Sequence, residues 1–197
     1  MEKVAVNARQ ETGMLYYLKQ KTICVNLSLM AVIWVTCSFN YYMMGYKVKY
    51  LAGDMNLNQM ASLLAEALAC ISTGCLLRCF SAKGLLVSCF SLSAFAGIMI
   101  IIISSADSEY GSITAFFVLF AKMGIAGGFN IVYIEHPKLF PTLFSTTSMG
   151  MTNFISRLAT VFAPLTAEVD QPVPMLVFSC LCIASVICSL LLRSGSS

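Results

Sequence analysis

The stretch GLLVSCFSLSAFAGIMIIIISSA, residues 84–106, contains no charged residue and lies between Lys83 and Asp107. A transmembrane α-helix needs about 20 consecutive, mostly apolar residues to cross a hydrocarbon core of roughly 30 Å. This stretch is longer than that and almost wholly apolar. It therefore predicts a helix that spans a membrane.

Five further intervals between charged residues have the same form, and all six are at least 22 residues long. Two of the five carry no charge, 22–46 and 171–192, and three carry one internal charge, 55–77, 110–134 and 139–167. The sequence therefore predicts an all-α, polytopic membrane protein with six transmembrane helices. Their expected bounds are about 23–45, 57–77, 84–105, 112–134, 142–166 and 172–192.

The composition of the 197 residues agrees, with 58% hydrophobic and 11% charged residues. A soluble domain carries roughly 25% charged residues, so this chain has too little polar surface to face water. The net charge is only +3, and no basic cluster interleaved with aromatic residues is present, which argues against nucleic-acid binding. A membrane protein with a lipid bilayer around it is the class that remains.

Catalytic and metal-binding patterns are missing from the sequence. There is no glycine-rich phosphate loop, no paired carboxylate motif and no nucleophile with a histidine base, and the single histidine, His136, is expected on a loop. The nine cysteines form no C-x-x-C pair and mostly lie inside predicted spans, where they serve as small packing residues. We therefore expect no enzyme, no cofactor and no metal site.

The lysines and arginines of the loops predict the orientation of the bundle. With the N-terminus inside, eight of them fall on inside segments and two, Lys47 and Lys49, fall outside. Because short loops rich in Lys and Arg stay on the cytoplasmic side, both the N-terminal segment, 1–21, and the tail, 193–197, are expected to be cytoplasmic. The polar N-terminal segment does not resemble a cleaved signal peptide, so the first helix is expected to act as its own signal.

Two local patterns predict how the helices pack. Gly124 and Gly128 in the fourth span have a small-xxx-small spacing that allows a neighbouring helix to approach closely. Pro164 lies within the fifth span and is expected to kink it, because proline cannot donate the helical hydrogen bond.

Three charged residues, Glu66, Lys122 and Arg157, lie well inside spans, where an ionised side chain costs at least about 2.5 kcal/mol unless it has partners or water. Polar or small residues share a helical face with two of them, and aromatic and polar residues cluster in the first helix. The groups are Gln59, Ser62, Glu66 and Thr73; Thr146, Gly150, Asn153, Arg157, Thr160 and Pro164; and Trp34, Thr36, Phe39, Asn40, Tyr41 and Tyr42. Such faces favour a solute pathway, and the alternative is that the charges pair only to hold the bundle together.

Several of these residues occur in runs that resemble the C-terminal half of organic ion transporters of the major facilitator superfamily. Residues 121–133, AKMGIAGGFNIVY, with KLFPT at 138–142, Met149-Gly150, Ser156-Arg157-Leu158 and Ala163-Pro164, look like the tenth and eleventh helices of that family. SFNYY, residues 38–42, is similar to the end of its seventh helix, and Glu66 stands where the family has an acid in the eighth. The similarity covers about residues 14–168.

This resemblance implies an inverted repeat of three plus three helices, with a small organic ion bound near the midplane against a second six-helix bundle. The second bundle is a second copy in a homodimer or a separate half. By the same resemblance Tyr41, Tyr42, Glu66, Lys122 and Arg157 line the substrate cavity, and the polar face of the fifth span adds Asn153. An arginine at the position of Arg157 is typical of anion carriers in the family, which favours an anionic substrate.

The chain also departs from the family pattern at the cytoplasmic gate. The second connecting loop reads RCFSAK at 78–83 in place of a strongly charged motif, Lys138 replaces an acid, and Ser145 replaces an arginine. These changes leave two alternatives to a half-size transporter working by alternating access: a transport-inactive structural or regulatory membrane subunit, or a truncated fragment of a longer transporter. The expected location is the plasma membrane or, alternatively, an organelle membrane.

Overall fold

A computed structural model describes residues 20–50, 55–106 and 111–192. These residues form seven α-helices and one short 3-10 turn, Val48–Tyr50, with no strand among them. The helices are α1 Lys21–Lys47, α2 Met55–Leu76, α3 Ala82–Ala106, α4 Gly111–Leu139, α5 Thr142–Thr160, α6 Ala163–Glu168 and α7 Val173–Leu191. The all-α prediction is confirmed for this part of the chain. The expected cytoplasmic segments fall almost wholly outside the described residues.

Four helical stretches of the described chain are long and apolar enough to cross a membrane: Lys21–Lys47, Ala82–Ser104, Ile113–Leu139 and Val173–Leu191. The chain is thus an integral membrane protein of helical architecture. The second predicted span coincides with α2, which is strongly apolar only over Ser62–Leu76. The fifth lies across α5 and α6. The second and the fifth predicted span each carry a polar face noted in the sequence, and these polar residues lower the mean hydropathy of both spans.

The fifth predicted span is interrupted, as the position of Pro164 predicts. Helix α5 ends at Thr160, and α6 begins at Ala163 with Pro164 in its first turn. A proline is tolerated there because the first N–H groups of a helix have no partner within it. The expected kink is therefore present as a break between two helices.

Helix α1 lies at the centre of the bundle, where it packs against α4, α5, α6 and α7. Its buried side chains include Met30, Ile33, Trp34 and Cys37, which belong to one continuous apolar core. The other extensive packing contacts join α3 to α4, α3 to α7 and α2 to α4. The side chains of α1 are thus held from several directions, and α1 contributes both tyrosines of the candidate site.

Glycine allows the close approach of α4 to α3, as the small-residue pattern predicts. A Cβ atom on Gly124 would lie 2.6 Å from the carbonyl oxygen of Cys89 and would also overlap the hydroxyl of Ser93. A Cβ atom on Gly128 would lie 3.3 Å from the ring of Phe90. Because membrane helices associate largely through such van der Waals contact, these glycines set the spacing of the two helices.

Candidate functional site

Three of the predicted site residues form one contact group between α1, α2 and α4. The hydroxyl of Tyr41 donates a hydrogen bond of 2.8 Å to Oε2 of Glu66, and Nζ of Lys122 lies 3.0 Å from Oε1 of the same carboxylate. The Lys122 side chain is only 4% exposed and that of Glu66 22%. Each oxygen of Glu66 therefore has its own partner. We call Tyr41, Glu66 and Lys122 the triad.

Lys122 makes two further contacts with Tyr41. Its Nζ donates to the backbone carbonyl of Tyr41 at 3.4 Å and lies 4.2 Å from the centroid of the tyrosine ring. A cation over an aromatic face is attracted by the ring's quadrupole, and the attraction grows where water is excluded. The ammonium group is therefore compensated by a carboxylate, a carbonyl and an aromatic ring.

Arg157 lies on α5 beside the second tyrosine. Its Nη1 donates a hydrogen bond of 2.8 Å to the hydroxyl of Tyr42, and its guanidinium carbon lies 5.6 Å from the centroid of the Tyr42 ring. Arg157 is exposed, and within residues 20–50, 55–106 and 111–192 no carboxylate lies within ion-pairing distance of it. The Tyr41 and Tyr42 rings meet edge to face with centroids 5.4 Å apart, which joins Arg157 to the triad.

Asn153, the sixth predicted site residue, is half-buried one turn before Arg157 on α5. Its backbone carbonyl accepts a hydrogen bond of 2.8 Å from the hydroxyl of Ser156. The structure thus links five of the six predicted residues through side-chain contacts and leaves Asn153 one turn from Arg157 on α5.

The polar face predicted for the fifth span is not the face by which α5 packs. Thr146, Gly150 and Arg157 are exposed, and Asn153, Thr160 and Pro164 are half-buried. The buried face of α5 consists instead of Phe144, Ser145, Ser148, Thr152 and Ser156. Small hydroxyl side chains allow α5 to lie close to α1, and their hydroxyls donate to carbonyls within the helix. The Arg157 face remains open.

The aromatic and polar cluster predicted on α1 divides between different faces of the helix. The Thr36 hydroxyl and the Asn40 amide donate to backbone carbonyls of Leu181 and Phe178, both on α7. These buried groups hold α1 to α7 and do not line the open face. Tyr41 and Tyr42, by contrast, keep contact with the charged residues.

Trp34 belongs to a buried network that the sequence analysis missed. Its Nε1 donates to Nδ1 of His136 at 3.1 Å, and Nε2 of His136 lies 3.0 Å from the hydroxyl of Ser148. That hydroxyl donates to the carbonyl of Ser145 at 2.8 Å, so it accepts from His136. The imidazole is therefore neutral with its proton on Nε2, and it ties α4 to α1 and α5.

The expectation that His136 lies on a loop is wrong. His136 is fully buried within α4, which continues through Pro137 to Leu139. The spacing of Phe129, Tyr133 and His136 by four and three residues was the available signal, because it puts all three on one aromatic helix face. Phe129 and Tyr133 both contact the Trp34 ring edge to face. Phe129 also stacks on Tyr41 at 6.0 Å, which links the aromatic face to the triad.

No protein-family model matches the chain. The chain is 24% identical over 156 residues to solute carrier family 22 member 4 of Mus musculus, an alignment that covers 79% of the chain and 28% of that protein. It is 28% identical over 163 residues to solute carrier family 22 member 13 of Homo sapiens, covering 81% and 29%. With organic cation/carnitine transporter 2 of Homo sapiens it shares 20% identity over 195 residues, covering 98% and 34%.

These relatives confirm the resemblance to organic ion transporters of the major facilitator superfamily. They are transporters and not enzymes. The chain spans about a third or less of the length of each of the three.

Proposed function

We propose that this chain, as a relative of organic ion transporters, forms one half of a carrier for a small organic anion. The observation that carries this proposal is the contrast between compensated and uncompensated charge. Glu66 has a partner at each oxygen, whereas Arg157 is exposed and its hydrogen bond and its cation–π contact are both made to the neutral Tyr42. The three charges of the site sum to +1.

The chemistry of Arg157 suits a carboxylate or a related planar anion. A guanidinium offers parallel N–H donors in a fixed fork, and such bidentate bonds are shorter and stronger than neutral ones. The Tyr42 hydroxyl accepts a hydrogen bond from one of these N–H groups and so orients the guanidinium. Glu66, by contrast, is not free to receive a cationic substrate unless Lys122 and Tyr41 first move away.

The packing pattern supports a six-span half built as an inverted repeat. Helix α1 packs on α5 as α4 packs on α2, and α3 packs on α4 as α7 packs on α1. Let α1 correspond to α4, α2 to α5 with α6 as one span, and α3 to α7. Each packed pair then corresponds to the other pair named with it, as expected for two related repeats of three spans. A second six-helix bundle, from another copy or a separate half, then covers the Arg157 face, and rocking of the two bundles gives alternating access. The bundle lies in the plasma membrane with both ends of the chain in the cytoplasm.

Uptake measurements test this proposal directly. Proteoliposomes containing the assembled protein are given a radiolabelled aromatic carboxylate and, separately, a quaternary ammonium compound. We expect selective uptake of the carboxylate and a loss of about tenfold or more in Arg157→Ala, because a hydrogen bond to a charged group contributes about 1.5–3 kcal/mol. Lys21→Ala removes an exposed positive charge at the start of α1, outside the site and the gate loop, and should leave uptake unchanged. Equal uptake in the two variants, or preference for the ammonium compound, contradicts the proposal.

A second candidate function is that of a transport-inactive structural or regulatory subunit, and the gate region favours it. Lys138 pairs with Glu135 of its own helix at 3.5 Å, and Ser145 is buried on the packing face of α5. Among the described residues no ion pair crosses between loops at this end of the bundle. Purification in mild detergent separates the candidates. Stoichiometric retention in a larger complex that takes up neither solute supports a subunit, whereas a homodimer or a lone chain speaks against it.

A further inference from the structure

A cavity of about 540 Å³ lies at the end of the bundle where α3 begins and α4 and α7 end. Its polar lining includes Lys83, Glu135 and Lys138, and its apolar lining includes Phe80, Leu139 and Leu192. Nζ of Lys83 donates to the Leu192 carbonyl at 2.8 Å, which fixes that ammonium group at the cavity wall. The Lys138 side chain is 61% exposed, with Nζ 3.5 Å from Glu135. These three charges sum to +1.

The cavity continues into an apolar groove between α2 and α3. Phe80 and Ser81 also line a neighbouring space of about 370 Å³. That space shares Leu76, Leu85 and Ser88 with a third one of about 160 Å³, which reaches Gly127 on α4. The three spaces thus follow one another along α3 through shared lining residues, and together they form a path that is charged at one end and mostly apolar along the rest.

The length of this path corresponds to one leaflet of a bilayer. Gly127 and Lys138 are separated by eleven residues of α4, or about 16 Å of helix. Half of a typical hydrocarbon core is roughly 15 Å thick. The positive end lies at the side of the bundle expected to be cytoplasmic, where anionic lipids concentrate.

We propose that this path is a binding site for an anionic phospholipid. The headgroup phosphate lies between Lys83 and Lys138, and an acyl chain occupies the groove between α2 and α3. A phosphate adds the negative charge that the cavity lacks, and the apolar groove explains why a whole lipid, and not a free anion, is the occupant. The proposal rests on the chain lying in a membrane with this end at the cytoplasmic leaflet, and it holds for either candidate function.

Native mass spectrometry of the detergent-purified chain with added phosphatidylglycerol or phosphatidylcholine tests the site. We expect phosphatidylglycerol to be retained preferentially and its apparent affinity to fall about fivefold in Lys138→Gln. Lys21→Gln is the matched control, because Lys21 is exposed at the same end of the bundle and does not line the path. Equal retention of the two lipids, or equal losses in the two variants, overturns the proposal.

A second arm distinguishes a lipid from a free anion. Ser88→Phe fills the apolar groove without changing any charge, and we expect it to lower phosphatidylglycerol retention as well. Glycerol 3-phosphate, which carries the phosphate without acyl chains, should displace the lipid poorly. Undiminished retention in Ser88→Phe, or ready displacement by glycerol 3-phosphate, shows that the basic groups attract phosphate without a lipid site and rejects the proposal.

Discussion

The two charged regions of the site differ in how their charge is compensated. In the triad, a nearly buried ammonium group and a carboxylate satisfy each other, and Tyr41 supplies a hydroxyl, a carbonyl and a ring. Arg157, which is joined to the triad through Tyr42, is exposed and has only a phenol as a described partner. The two regions lie side by side, but opposite charges compensate each other in the triad, whereas no described carboxylate compensates Arg157.

This difference suggests a division of roles. A nearly buried charge that loses its counter-charge is strongly unfavourable, so the triad is expected to hold α1, α2 and α4 together. Arg157 has no carboxylate partner to lose among the described residues, so it holds no helices together by an ion pair and its guanidinium is free to bind a ligand. We therefore expect triad variants to lower the free energy of unfolding and Arg157 variants to change transport alone.

The largest effect is expected for Glu66→Leu, which leaves the Lys122 ammonium without its counter-charge. Removing one partner of a buried pair costs about 3–5 kcal/mol, whereas replacing both with apolar residues is often neutral. The double variant Glu66→Leu with Lys122→Met should therefore recover most of the loss. Unfolding in mixed micelles, followed by the fluorescence of Trp34, the only tryptophan, measures each variant. A double variant as unstable as the sum of the two single ones would contradict a structural role for the triad.

An intermediate effect is expected from the adjacent tyrosines, which provide a matched pair. Tyr41→Phe removes the hydroxyl that donates to Glu66 and should cost about 1.5–3 kcal/mol, because that bond is made to a charged group. The ring over Lys122 remains. Tyr42→Phe removes a hydroxyl that accepts only from the exposed Arg157 side chain, so the cost should be below about 0.5 kcal/mol. Equal losses of stability would show that the triad and Arg157 do not differ in how their charges are compensated.

The helical class was predictable because it depends on the spacing of charges along the chain. The uncharged interval of residues 84–106, for example, matches α3 closely. The glycine at position 124 likewise predicted the close approach of α4 to α3. These features are local, since they depend on helix period and side-chain size alone. The break before Pro164 is local in the same way.

The side chains of the site were harder to assign because a polar helical face can either line a solute pathway or pack against another helix through small hydroxyl residues. Polar periodicity on α5 identified the face of Arg157, but the hydroxyls of Ser148, Thr152 and Ser156 form the packing face of the same helix. Small hydroxyl groups can be buried because they donate hydrogen bonds to backbone carbonyls of their own helix. His136 was missed because its partner Trp34 lies 102 residues away in the sequence. A pairing over that distance is decided by tertiary packing.

The smallest effect on stability, and the most informative about mechanism, is expected from Arg157→Lys. The variant keeps the positive charge, and because the side chain is exposed the free energy of unfolding should change by less than about 0.5 kcal/mol. Lysine lacks the planar fork, so it cannot bind a carboxylate in the bidentate manner or stack on the Tyr42 ring in the same way. If Arg157 binds the substrate carboxylate through its fork, carboxylate uptake should fall about tenfold. Uptake equal to that of the unmodified protein would mean that Arg157 contributes charge alone, so its bond to Tyr42 would not orient a substrate.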